Sequence, residues 1–304
     1  MNTSQHKAEV LRSELAGTWF VEDATDLRRM IERWMREAGA GGPSRPAAPV
    51  RALILPHAGY SYSGRVAAAG MASIAGAAFR RVIVMGPTHR IPLPNRVGVP
   101  DGGRYETVLG EIPLDTALLN RLLRDPIFGV FEGALPGEHS VEIEFPMLQV
   151  ALRDFVLAPL VVGQLNEGVA RAVARRLRPE LDGETLLVVS SDFTHYGRAF
   201  GYRPFVQDVE TNLRRLDLGA LAWIQRRDLA GFRRYLEETG ATICGRDPLS
   251  VLIALLGEEQ EVRLLKYETS GHVTGDWSHV VSYLAAAVSG PWPASSGPDA
   301  GRDS

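Results

Sequence analysis

The sequence predicts an α/β protein: a single domain with a central mixed, mostly parallel sheet flanked by helices. Three observations lead there. Four short apolar runs, Arg51–Leu55, Arg81–Met85, Ala158–Val162 and Thr185–Ser190, have the length and continuity of strands buried on both faces. Stretches with helical spacing separate them. No internal repeat stands out in the 304 residues, and no linker long enough to divide two domains.

In chain order, residues 1–16 read as a loose or weakly helical arm, and residues 17–289 as the folded domain. Leu27, Met30, Ile31, Trp34 and Met35 repeat at i, i+3, i+4, i+7 and i+8, which predicts a helix over about Asp26–Ala38 that Gly39 ends. Ala40–Pro49 is Gly/Pro/Ala-rich and reads as a loop. The strand Arg51–Leu55 leads into a small-residue helix near Arg65–Ile74, whose alanines suit close packing on a sheet. Asp115–Arg124, Glu167–Arg178, Gln207–Leu216 and Asp228–Glu238 carry helical spacing with Arg- and Glu-rich outer faces, and a helix is expected around Glu142–Leu152. Asp247 is a good N-cap and Pro248 a good first residue for a helix through Leu249–Leu256. His279–Ala287 reads as a closing strand or helix. Gly290–Ser304, rich in Pro, Ser, Gly and Asp, reads as a disordered tail that adds nothing to folding.

Composition narrows the function classes. Hydrophobic residues make up 45% and charged residues 23%, enough for a full core. A net charge of −3 from 33 basic and 36 acidic residues gives no footprint for nucleic acid. No apolar run approaches the ~20 residues of a membrane span. Met1–Leu15 has no apolar signal-peptide core, so the cytoplasm is the expected compartment. The one cysteine, Cys244, rules out an intrachain disulfide and agrees with a reducing compartment.

The histidines fall in informative places. His57 follows the run ending at Leu55, His89 follows the run ending at Met85, and Asp192 and His195 follow the run ending at Ser190. In open α/β sheets, residues just past the carboxyl ends of parallel strands converge on one edge, where ligands bind. Cys244 stands just before a predicted helix N-terminus, where the dipole and free amides favour a thiolate; Arg246 adds positive charge. A thiolate and two neutral imidazoles form a ligand set for zinc, copper or iron. Singly, each residue has a plainer reading. His57 and His139 suit turn or helix caps, Asp192 and His195 suit a braced turn, and a lone cysteine is usually a small buried hydrophobe. The joint arrangement favours a site.

Several strings then resemble one family. Pro56-His57-Ala58-Gly59-Tyr60-Ser61-Tyr62-Ser63-Gly64, Gly86-Pro87-Thr88-His89, Glu138-His139-Ser140-Val141-Glu142, Ser190-Ser191-Asp192-Phe193-Thr194-His195-Tyr196-Gly197 and Thr242-Ile243-Cys244-Gly245-Arg246 resemble, in order, the motifs of the Memo family (mediator of cell motility; AmmeMemoRadiSam system protein B). Gly17-Thr18-Trp19-Phe20 is similar to the family's G[ST]WY. The resemblance spans about residues 17–288. It implies a fold related to class III extradiol dioxygenases, and a pocket of His57, His89 and Cys244 with Asp192 and His195 beside it. It also implies iron or copper as cofactor, and possible partners in AMMECR1-like and radical SAM proteins. The departure from the dioxygenases is chemical: their iron takes two histidines and a carboxylate, whereas the third donor here is a thiol.

Three functional readings follow. In the first, His57, His89 and Cys244 hold iron or copper in an oxidoreductase-like protein; His195, oriented by Asp192, moves protons, and His139 stands nearby. In the second, the same pocket, lined by Tyr60, Tyr62 and Tyr196, binds a peptide or small molecule without turnover. In the third, zinc is held, and Asp192 or His195 is the base for a hydrolysis.

Overall fold

A computed structural model describes residues 10–41 and 48–293 of the chain. Strand β1 (Val10–Arg12) is followed by helix α1 (Ala24–Gly41), then by the alternation β2 (Val50–Leu55), α2 (Tyr60–Ile74), β3 (Arg81–Pro87). A strand-rich excursion comes next: β4 (Val97–Gly98), β5 (Arg104–Thr107), β6 (Gly110–Pro113), α3 (Thr116–Leu122) and β7 (Phe128–Gly129). Two short helices, α4 (His139–Glu142) and α5 (Glu144–Ala151), precede β8 (Val156–Val162), α6 (Glu167–Leu177), β9 (Thr185–Ser190) and β10 (His195–Gly197). Helices α7 (Val209–Gln225), α8 (Leu229–Thr239) and α9 (Arg246–Leu255) lead to β11 (Glu261–Thr269), α10 (Ser270–Thr274) and β12 (His279–Ser289).

The main sheet runs β10-β12-β2-β9-β3-β8-β4-β7, with β11 also paired to β12. Its centre, β2-β9-β3-β8, is parallel; β12 and β4 join it antiparallel. Strands β3, β8 and β9 are buried almost throughout because helices cover both faces, which is why they read as unbroken apolar runs. One contiguous core extends from Leu15 to Val288, so the chain forms one α/β domain with a mixed sheet flanked by helices, without a division near its middle. Side-chain caps set several helix starts: Asp115 accepts from Leu118 N, Asn166 from Val169 N and Asp228 from Gly231 N.

Some elements depart from the sequence reading. Val10–Arg12 is a strand, parallel to β5 in a small second sheet, rather than part of a loose arm; residues 1–9 lie outside the described residues. Helix α7 runs nine residues past the expected end at Leu216, to Gln225. Strand β11 was not foreseen: burial alternates poorly along it, because β12 rather than a polar/apolar pattern specifies it. Helix α9 begins at Arg246, with Gly245 as its cap; Asp247 is instead in ion pairs with Arg233 at 3.4 Å and Arg246 at 3.1 Å. Trp292 packs against the core, so the expected tail starts too early at Gly290. Residues 294–304 lie outside the described residues. Among the described residues no helix is long and apolar enough to cross a membrane.

Candidate metal centre

The carboxyl ends of β2, β9 and β3 lie side by side, and each is followed by chemistry-bearing residues. His57 is two residues past β2 and His89 two past β3, since β3 continues through Gly86 and Pro87 beyond the expected end at Met85. Asp192 is two past β9. Ser191 N donates to Leu55 O at 2.7 Å, tying the ends of β2 and β9 together.

The fourth contributor is the turn before α9. Gly245 makes it possible, because a Cβ there would lie 2.2 Å from Ser191 Cβ. With only hydrogen at that position, the turn closes onto the end of β9, and Gly245 N donates to Ser191 Oγ at 3.2 Å. Cys244 Sγ thereby reaches His57 Nε2 at 3.1 Å. Gly86 performs the same service for α4. A Cβ on it would meet Ser140 O at 2.7 Å, so α4 packs directly on β3, and Ser140 Oγ donates to Pro87 O at 2.6 Å. That contact carries Glu138 and His139 to His89.

The result is a group of His57, His89 and Cys244 whose potential ligand atoms all lie within 4.8 Å of one another. First-row metals bind imidazole nitrogen at about 2.0–2.1 Å and thiolate at about 2.3 Å. Donors on one ion then stand roughly 3–4.5 Å apart, so small side-chain adjustments suffice and the donor set fits a metal. His57 is buried and its Nδ1 meets Ser190 Oγ at 2.9 Å. His89 is about one third exposed; Glu138 accepts from its backbone N at 2.7 Å and its Nδ1 at 3.0 Å. Both rings therefore have Nδ1 engaged and Nε2 available.

His139 belongs to the same cluster. Its ring centroid is 4.4 Å from that of His89 and 5.5 Å from that of His57, and it stacks on Trp19 at 4.3 Å. His89, Glu138 and His139 also bring ligand atoms within 4.8 Å of one another. Glu138 Oε1, however, is shared between both Nδ1 atoms and accepts from Ser140 N as well. Its geometry is that of a carboxylate orienting His89.

Burial governs the electrostatics. It pushes His57 well below the ordinary histidine range, with His89 and His139 adding to the effect. His139 is pushed down to about 4 by burial and by His89. Burial likewise lowers His195. Burial would raise Glu138, but its hydrogen bonds from the His89 ring and backbone outweigh that and hold it below the ordinary range. These shifts favour the neutral, ligand-ready form of His57, His139 and His195 at neutral pH. Cys244 corrects the sequence reading: burial pushes its thiol up, and Asp192 pushes it further, against the backbone hydrogen bonds that favour thiolate. Standing before a helix does not activate it in the metal-free protein.

The other expected site residues divide. Asp192 is buried and accepts from His57 N at 2.8 Å and from Ala58 N, while burial raises its carboxyl to about 7. It braces the His57 loop and does not orient His195. Thr242 does that: His195 N donates to Thr242 Oγ1, and His195 Nδ1 meets Thr242 O, both at 2.9 Å. Tyr60 is buried beside Phe20 and Trp34, with its hydroxyl donated to Ile143 O. Tyr196 is buried in a separate cluster with Leu213 and Val280 and donates to Phe205 O. Neither is among the residues that line the cleft beside Cys244. Tyr62 is 45% exposed. A cleft of about 540 Å³ opens beside Cys244, lined by Thr88, Gln164, Thr242 and Arg246 among others. Glu138, Ser190, Thr242 and Trp19 lay inside the recognised strings without roles; only the folded arrangement pairs each with its histidine.

Comparison with known proteins agrees with this picture. The model of a family described as Memo-like protein matches residues 12–287. The chain is 30% identical over 291 residues to Protein MEMO1 of Homo sapiens and of Mus musculus, covering 90% of this chain and 95% of each relative. It is 28% identical over 288 residues to Protein memo-1 homolog of Caenorhabditis elegans, covering 90% of this chain and 81% of that one. The crystal structure of uncharacterized protein JW3007 from Escherichia coli K12 superposes with a TM-score of 0.51 at 18% identity, over 79% of this chain and 99% of that chain. That likeness concerns the fold alone.

Proposed function

This chain belongs to the Memo family, and from that premise we propose that His57, His89 and Cys244 hold one iron or copper ion in an oxidoreductase-like centre acting on a small molecule. The observation that supports it most is the convergence of two imidazoles and one thiol, from three separate segments, within 4.8 Å at the carboxyl edge of a parallel sheet. Iron or copper, when bound there, supplies a redox couple, and a thiolate with two imidazoles suits both.

The chain's own residues have definable tasks. His57 and His89 present Nε2 because Ser190 and Glu138 engage Nδ1. Cys244 must give up its thiol proton on metal binding, a step that burial opposes and a nearby cation favours. His195 has Nδ1 held by Thr242 O, which leaves Nε2 to accept or return a proton. The cleft beside Cys244 is the entry for a small ligand.

The test is metal analysis of protein purified anaerobically without a metal-binding tag, alongside His57→Ala, His89→Ala and Cys244→Ser. About one iron or copper ion per chain is expected, lost in each variant. Zinc with turnover would transfer the reading to a hydrolase. A metal-free protein that binds ligand in this cleft would make it a binding module.

A further inference from the structure

Two buried polar residues stand behind His57, on the side away from Cys244. Ser190 is the last residue of β9 and Glu144 the first of α5; both are almost fully buried. Burying a carboxyl group is costly unless it is hydrogen-bonded. Glu144 has such a bond: Ser190 Oγ donates to its Oε1 at 3.2 Å. Ser190 Oγ also lies 2.9 Å from His57 Nδ1, and His57 Nε2 lies 3.1 Å from Cys244 Sγ.

The direction of this chain follows from proton counting. A serine hydroxyl has one proton and two lone pairs. Burial pushes the Glu144 carboxyl well above its ordinary range, yet even a neutral carboxyl keeps one oxygen that can only accept. With Oε1 as that oxygen, the Ser190 proton goes to Glu144, and towards His57 the hydroxyl can only accept. His57 must then carry its proton on Nδ1, leaving a lone pair on Nε2 that faces Cys244. Without Glu144, the Ser190 proton is free to turn to Nδ1; the ring would then hold its proton on Nε2 and lose its ligand lone pair. His89 is held by different means, with Glu138 bonded directly to its Nδ1.

We propose that Glu144 and Ser190 are positioning residues that lock His57 in the Nδ1–H tautomer and aim Nε2 at the metal position. The assignment rests on the metal reading above for its purpose, but the tautomer itself can be read without any metal.

The test uses metal-free full-length protein with ¹⁵N-labelled histidine. Long-range proton–nitrogen correlation reports the tautomer, and a His57→Asn difference spectrum assigns the signal. Wild-type His57 is expected as Nδ1–H. Glu144→Leu and Ser190→Ala should populate Nε2–H and weaken zinc(II) binding, measured against a chelating dye, by about 10–100-fold, as loss of an outer-sphere partner does. Glu144→Gln should restore both, since its amide oxygen still accepts from Ser190. A purely structural role would lower the unfolding midpoint and leave the tautomer alone. An Nε2–H signal in the wild type overturns the proposal. So does a folded Glu144→Leu variant that keeps Nδ1–H and wild-type zinc affinity. If Glu144→Leu does not fold, the wild-type spectrum and Ser190→Ala decide. A wild type that binds no metal defeats the metal reading, while the tautomer still decides this one.

Discussion

Replacing Gly86 by alanine should loosen the fold and the candidate metal centre together. A Cβ at Gly86 would stand 2.6 Å from Ser140 Oγ, 2.7 Å from Ser140 O and 2.8 Å from Ser140 C. Two of these three atoms are backbone, so a rotamer change cannot relieve the clash. Carbon–oxygen contacts settle at about 3.3–3.6 Å, so α4 must retreat by roughly 0.6–0.9 Å. Overpacking of this kind costs about 1–3 kcal/mol. Retreat also strains the bond from Ser140 Oγ to Pro87 O, worth about 0.5–1.5 kcal/mol. The sum, roughly 1.5–4.5 kcal/mol, is a large part of a typical domain stability of about 5–15 kcal/mol. Gly39→Ala is the control: a Cβ there meets nothing within 4 Å, and in a helix the change should add about 0.5–1 kcal/mol. Urea unfolding of the metal-free proteins measures both. The retreat also draws Glu138 away from His89, so zinc affinity should fall about 10–100-fold. A Gly86→Ala protein within about 0.5 kcal/mol of wild type, a change typical of a neutral surface site, would refute the packing argument. Lost stability with unchanged zinc affinity would refute the claim that α4 positions His89.

Cys244 labelling rates against pH, in the metal-free native protein, should show a midpoint above the ~8.5 of a free cysteine, because burial and Asp192 both disfavour thiolate; a midpoint below it would restore the activated-thiolate reading. Asp217 is fully buried and accepts from Thr194 N, Thr194 Oγ1 and Tyr267 OH, and burial raises its carboxyl above the ordinary range. The folded state therefore holds that proton more tightly than the unfolded chain. The associated stability is full below the unfolded value of ~3.9 and is lost as pH rises through the folded one. Asp217→Asn should gain relative to wild type as pH rises above ~3.9 in urea unfolding, and a pH-independent difference would refute the linkage. Trp292→Ala should cost roughly 1–3 kcal/mol, less than a fully buried tryptophan, because its ring packs on the core from a half-buried position; a negligible loss would return Trp292 to the idle tail.

Much of this protein was legible before any tertiary information. The strands β2, β3, β8 and β9 announce themselves because both faces are covered, which leaves unbroken apolar runs such as Val82–Met85 and Leu186–Val189. The placement of His57, His89 and Asp192 just past strand ends, a purely local fact, pointed to the sheet edge where the candidate donors gather. Cys244 was recognisable as an isolated thiol in a turn before a helix.

Other features exist only across the fold. Strand β11 depends on its partner β12, so its own residues carry little signal. Motif proximity says nothing about where a hydroxyl points: those of Tyr60 and Tyr196 turn to the backbone of Ile143 and Phe205. The thiol's upward shift comes from enclosure and from Asp192, 52 residues away in sequence. The partners that set each imidazole are equally remote: Glu138 is 49 residues from His89, Ser190 is 133 from His57, and Thr242 is 47 from His195. Local sequence determines which residue types stand at the sheet edge, because strand ends are local. Which nitrogen faces the other candidate donors, and which carboxyl orients it, depends on contacts between distant segments, and those are decided only when the sheet and its covering helices close.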